Sequence, residues 1–115
     1  MPADAAAPLP DLPSPGLVDA VADAMFALSS TTRVRILMLL RERPCTVSEL
    51  TEATGMEQSA VSHQLRVLRE HRIVSVERIG RRRRYALYDE DVAVLVDAAL
   101  HHVSGGRAVR RADVG

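Results

Sequence analysis

There is no lysine in this 115-residue chain; all fifteen basic side chains are arginine. Guanidinium forks suit phosphates and guanine edges, although compositional bias of the genome accounts for the missing lysine equally well. Only one cysteine is present, Cys45, so no internal disulfide can form and a reducing cytoplasm is the expected setting. No apolar run approaches the roughly 20 residues of a membrane span. The opening MPADAAAPLPDLPSPG lacks the basic and apolar regions of a signal peptide. No phosphate loop, nucleophile motif or complete metal-protease motif occurs, which argues against an enzyme. At this length one compact domain is expected, with a modest core that a dimer would enlarge.

The formal net charge of zero conceals an uneven distribution. Residues 1–28 hold four Asp and no base. Residues 31–84 hold twelve Arg against six Glu, a net +6, and residues 85–104 hold four acids and no Arg. A basic middle between acidic flanks suggests a polyanionic partner.

Five of the six prolines lie in residues 1–15, so residues 1–16 read as a mobile tail. A domain over 17–104 and a C-terminal tail over 105–115 complete the expected organisation. Ser14-Pro15 suits a helix start, and a first helix is expected over Leu17–Leu28, with Leu17, Val18, Val21, Met25 and Leu28 on one side. A second, over Thr32–Glu42, ends before Pro44. Thr46-Val47-Ser48-Glu49 reads as a capping box opening a third helix, Val47–Thr54, that buries Val47, Leu50 and Ala53. Gly55 stops it, and a fourth helix covers Gln58–His71. Strands over Ile73–Arg78 and Arg84–Tyr88 flank the turn Gly80-Arg81. A last helix covers Glu90–Val103 and stops at Gly105-Gly106. The expected fold is therefore mainly α with a small β-hairpin: a winged helix-turn-helix of order ααααββα.

In the fourth helix Val61, Leu65 and Leu68 form an apolar stripe. Ser59, His63 and Arg66 lie opposite, with Ser62 beside them and Gln58 at the N-terminus. Such groups at the start of a helix are what a major groove requires; an ordinary solvated face would read the same way. RIGRRRR, residues 78–84, places five Arg in seven positions. Four consecutive like charges, Arg81, Arg82, Arg83 and Arg84, repel unless a partner neutralises them, and a hairpin tip of this kind can reach a DNA backbone or minor groove. Arg33 suits either a phosphate contact or a structural ion pair. A winged helix used only for protein contacts is the competing class; it should bind DNA weakly and without sequence preference.

LSSTTRVRIL (28–37), TVSELTEATGMEQSAVSHQLRVLREHRIV (46–74) and GRRRRYALYD (80–89) resemble the ArsR/SmtB family of bacterial winged-helix repressors, over about residues 17–103. GMEQSAVSHQLRVLR is most similar to its nickel/cobalt- and zinc-sensing branch. The resemblance implies a homodimer held by the first and last helices, bound to double-stranded operator DNA and released when a metal or another signal binds. It implies recognition contacts at Gln58, Ser59, Ser62 and His63 and a wing at Arg81–Arg84. Multi-cysteine sensing of the kind found elsewhere in the family is excluded, since Val47 and Ser48 occupy those positions and Cys45 stands alone. A lone thiol of this kind is more often inert than redox-active.

The family's other sensor site lies on the last helix as Asp-x-His, a His eleven residues on, and a His or Glu three beyond. Here Asp89, Asp91, His102 and Gly105 stand at those positions. Residues 91 and 102 share a helix face to within about 20° but lie about 16 Å apart along the axis, too far for one ion. In an antiparallel pair of helices crossing near Val96–Asp97, residue 91 of one chain meets residue 102 of the other. Val92, Leu95, Val96, Ala99 and Val103 would supply the interface stripe. Water, His101 or a tail group would complete the shell, and zinc, which tolerates three protein ligands plus water, stands ahead of cobalt or nickel. The same residues also suit a helix needing only good ends: Asp89 as N-cap, acids at its positive end, and His101 and His102 at its negative end. A decayed metal site, with another signal or none, remains the alternative.

Overall fold

Among residues 6–106, four of the five helices begin where a short polar side chain takes up a backbone N–H that the helix itself leaves unpaired; the fourth helix, which follows Glu57, has no such cap. The computed structural model describes residues 6–106. In it the Ser14 hydroxyl accepts from the Leu17 N–H at 3.2 Å and opens α1, Pro15–Leu28. Ser30 accepts from the Arg33 N–H at 3.3 Å and opens α2, Thr31–Glu42. After the two-residue strand β1, Cys45–Thr46, the expected capping box opens α3, Val47–Thr54. α4 spans Gln58–Glu70, and the antiparallel strands β2, Val74–Ile79, and β3, Arg82–Leu87, form the wing. Asp89 accepts from the Val92 N–H at 3.1 Å and opens α5, Glu90–Ser104. Among the described residues no helix is long and apolar enough to cross a membrane.

The capping box carries a second partner that shifts the acidity of its glutamate. The Arg43 guanidinium lies 2.5 Å from Glu49 Oε2, while Glu49 Oε1 accepts from the Thr46 N–H at 2.9 Å. The bond from Arg43, followed by that from the Thr46 backbone, holds the Glu49 carboxyl down to about 2. Its folded value lies below its unfolded one, so this contribution to stability is complete above about pH 4.3, the usual carboxyl value, and disappears as pH falls through about 2. The gap in melting temperature between the parent and Glu49→Gln is expected to close over that range. A gap of constant width from pH 6 to pH 2 would remove the assignment. The pair is exposed, so the gap is small at any pH.

Two glycines occupy conformations that other residues adopt only with strain. Gly55, at φ +73°, ends α3 and donates its N–H to the Thr51 carbonyl at 3.0 Å, making the turn into α4. Gly80, at φ +61°, occupies the first position of the two-residue loop between paired Ile79 and Arg82, as a type II′ turn requires.

α2, α3 and α4 surround the core. Ile36, Leu37 and Leu40 meet Leu50, Val61, Leu65 and Leu68, and Val74, Tyr85 and Val92 close it from the wing and α5. The fold is a winged helix-turn-helix, with α3 and α4 as its two helices. The expected hairpin is a three-stranded sheet of order β1-β3-β2, because Cys45 and Thr46 pair antiparallel with Tyr85 and Arg84. Ala53 is exposed, contrary to expectation, and Thr54 is buried in its place. Residue 54, four beyond Leu50, falls closer to its face than residue 53 does, and the Thr54 hydroxyl is satisfied by donating to the Leu50 carbonyl at 2.7 Å. The expected stripe on α5 also divides. Val92 and Val96 turn into their own chain's core, while Leu95, Ala99 and Val103, one i, i+4, i+8 row, stay exposed. An ion pair from Arg41 to Asp97 ties the middle of α5 to the end of α2.

Candidate functional site

Burying Val61, Leu65 and Leu68 fixes which side of α4 faces outward. Gln58, Ser59, His63 and Arg66 are exposed and Ser62 is half-buried. The wing stands beside this face. Register places Arg82 opposite Ile79, Arg83 opposite Arg78, and Arg84 opposite Glu77, so Arg82–Arg84 belong to β3 and only Arg81 sits in the turn. The strand therefore begins two residues earlier than expected, because the wing residues complete the ladder with β2. Like charges directly across a ladder are destabilising, and Arg78 and Arg83 are such a pair. Among the described residues the ion pairs involve only Arg41 and Arg43 as cations, so Arg66, Arg69, Arg78 and Arg81–Arg84 have no carboxylate partner.

Two clefts border this basic surface. One of about 250 Å³ lies between α4 and the wing and is lined by Val47, Ser62, Leu65, Arg66, Arg69, Arg83 and Tyr85. The other, of about 360 Å³, is lined by Thr46, Val47, Ser48, Arg81, Arg82 and Arg83. The sequence pattern did not single out Arg69 or Tyr85. The spacing 62, 66, 69 on a helix face would have disclosed Arg69; nothing local marks Tyr85.

Arg33 forms no ion pair among the described residues; its guanidinium donates instead to uncharged protein oxygens. Its Nε donates to the Ala27 carbonyl, its Nη2 to that of Phe26 at 3.5 Å, and its Nη1 to Gln64 Oε1 at 3.1 Å. It thereby fastens the end of α1 and the start of α2 to α4. Arg35 likewise donates to the Thr54 carbonyl at 2.6 Å, at the end of α3. Cys45 is buried and its thiol donates to the Arg43 carbonyl at 3.3 Å. Burial pushes the thiol pKa up, which disfavours the reactive thiolate.

The acids and histidines of α5 lie at its two ends. Among the described residues no three His, Cys, Asp or Glu side chains of one chain come together as a metal-binding group. Asp89 commits Oδ1 to its cap, leaving the other carboxylate oxygen available. Asp91 and His102 are exposed, whereas the His101 ring lies over Gly106, where an added Cβ would sit 3.2 Å from Nε2. The donor set Asp89, Asp91 and His102 fits a divalent metal only if a second chain brings its own α5 alongside. The surface between the two ends is suited to such a neighbour. Leu17, Val18, Val21, Met25 and Phe26 of α1 and Val94, Leu95 and Val103 of α5 are exposed apolar side chains. An apolar hollow of about 240 Å³ opens among Met25, Leu28, Val34, Leu37, Leu95, Val96 and Ala99.

Residues 30–76 match the family described as bacterial regulatory protein, arsR family. The HTH-type transcriptional regulator NmtR of Mycobacterium tuberculosis is 52% identical over 82 residues, covering 71% of this chain and 68% of that protein. The HTH-type transcriptional repressor SmtB of the same species is 36% identical over 104 residues, covering 87% and 77%. The solution structure of apo-NmtR superposes with a TM-score of 0.70 at 44% identity, covering 92% of each chain. A homodimeric winged helix-turn-helix DNA-binding domain from Mycobacterium bovis superposes with a TM-score of 0.72 at 31% identity, over 83% of this chain and 92% of that one.

Proposed function

This chain belongs to the ArsR family of bacterial regulatory proteins, and from that premise we propose that it is a homodimeric transcriptional repressor released from operator DNA by a divalent transition metal. The observation that carries the DNA-binding reading is the wing, where Arg78 and Arg81–Arg84 stand without carboxylate partners beside the exposed face of α4. In this reading Gln58, Ser59, Ser62 and His63 enter the major groove and Arg66 and Arg81–Arg84 contact the backbone, one α4 per half-site. The repressor relatives and the homodimeric domain from M. bovis support it. So do the exposed apolar rows of α1 and α5.

Asp89 and Asp91 of one chain with His102 of the partner subunit would hold the metal, His101 being turned towards Gly106. Holding one ion between them, Asp89 and Asp91 of one chain and His102 of the partner subunit would link the two chains and so couple the spacing of the two α4 helices to the metal. Three protein ligands completed by a water place zinc ahead of cobalt or nickel. The N-cap bond of Asp89 favours the alternative, in which these residues only end the helix.

Fluorescence anisotropy on duplex DNA from the protein's own promoter region, at fixed salt, separates the two. Addition of one metal is expected to weaken binding at least about tenfold, a coupling of about 1.4 kcal/mol. Binding that ignores zinc, cobalt and nickel alike would keep the repressor and discard the sensor. His102→Ala is expected to bind DNA as the parent does and to lose the metal response. A response that survives in this variant would place the sensor outside α5.

A further inference from the structure

We infer that the cleft between α4 and the wing seats one phosphate of the DNA backbone, held by Arg66, Arg69, Arg83 and the Tyr85 hydroxyl. The inference rests on the DNA-binding reading above and deepens it. Ser62, Arg66 and Arg69 follow one another at i, i+4 and i+7, so they share a stripe along α4. Arg83 and Tyr85 are two residues apart on β3 and therefore share a face of the sheet. These two rows meet in the cleft of about 250 Å³.

Three guanidinium groups from two elements converge there, the lining contains no acid, and none of the three has a carboxylate partner among the described residues. All three side chains are exposed and hydrated, and an anion entering the cleft would be attracted by each of them. Tyr85 lines the same cleft. Its ring is buried, while its hydroxyl makes no hydrogen bond within the described residues and reaches solvent, so it is free to donate to an anion there. A phosphodiester offers two anionic oxygens, enough to accept from the arginine forks and the phenol together.

The neighbouring cleft shares Val47 and Arg83 with this one and adds Arg81 and Arg82. The two form a track rather than an isolated pocket, which fits a polymer of phosphates better than a single small anion. A phosphate fixed between α4 and the wing carries no sequence information. It sets the register in which Ser59 and His63 meet the bases.

The test is anisotropy of the full-length chain over a salt series, on promoter duplex and on a scrambled duplex. Arg69→Gln is expected to weaken both duplexes by a common factor of about ten per chain bound, or about a hundred for a dimer, as for one charge-assisted hydrogen bond lost from each chain. Its slope of log K against log salt should be shallower by about 0.9 per chain bound, or about 1.8 for a dimer. Tyr85→Phe removes only an unpartnered hydroxyl. It should weaken both duplexes with the parent's melting temperature and salt slope retained. Unchanged affinity and slope in Arg69→Gln, with a parent that binds tightly, overturns this inference alone. A parent that binds no duplex overturns the proposed function and this inference with it. A loss confined to promoter duplex overturns it in favour of base readout. Saturable shifts of the Arg69 side-chain resonances by inorganic phosphate, with DNA binding by Arg69→Gln unaltered, would reassign the cleft to a free anion and overturn the backbone assignment.

Discussion

Replacing Arg81, Arg82, Arg83 and Arg84 together by Gln is expected to lower affinity for duplex DNA about a hundredfold or more, roughly 2.8 kcal/mol at 1.4 kcal/mol per decade. A dimer presents this wing twice, and each phosphate left without its arginine flattens the salt dependence by about 0.9. The slope is therefore the sharper readout, and even two such phosphates per chain flatten it by about 3.6. The fold should survive, since all four side chains are exposed and none takes part in an ion pair among the described residues. Relief of the Arg83–Arg78 opposition should leave the melting temperature unchanged or slightly raised. A quadruple variant that binds duplex with the parent's affinity and slope would move the polyanion contact away from the wing. It would also favour a winged helix used for protein contacts.

Leu50→Ala is expected to destabilise the native protein by about 2–5 kcal/mol, the range for emptying a leucine site in a close-packed core. Leu50 is fully buried, at 0% exposure, in α3 and belongs to the core cluster shared with α2 and α4. For a domain of this size that cost is a large share of the whole stability, which is about 5–15 kcal/mol. Urea unfolding at one fixed protein concentration is the measurement, because a dimer's stability depends on concentration. DNA affinity should fall as well, because α3 and the Gly55 turn position α4. A cost under about 1 kcal/mol, the level of a surface substitution, would show that α3 is not packed as described.

What the sequence determined by itself lies within about one helical turn of each residue. Thr46 and Glu49 specify the start of α3, Gly55 its end, and Asp89 the start of α5, because each makes a hydrogen bond to backbone three or four positions away. The stripe of Val61, Leu65 and Leu68 specified both the buried side of α4 and, by exclusion, the exposure of Gln58, Ser59, His63 and Arg66. Gly80 specified the wing's turn, so the arginine tip and most of the candidate DNA face were legible.

The tertiary structure decided what depends on distant partners. Strand β1 exists only because Cys45 and Thr46 find Tyr85 and Arg84, about forty positions on, and two residues carry no periodicity to announce it. Arg33 became a fastening between α1, α2 and α4 because their ends converge on it. The same holds for Val92 and Val96, which share a helix with Leu95 and Val103 but face their own core because α5 lies against α2 and the wing. Arg69 and Tyr85 belong to different elements, and no pattern along the chain connects them. They meet in one cleft because packing Leu65 and Leu68 against the core brings α4 alongside β3. Hydrogen bonds within a turn leave their mark in the order of residues, whereas burial selects its partners in three dimensions, among faces that the periodicity of a single element can only offer.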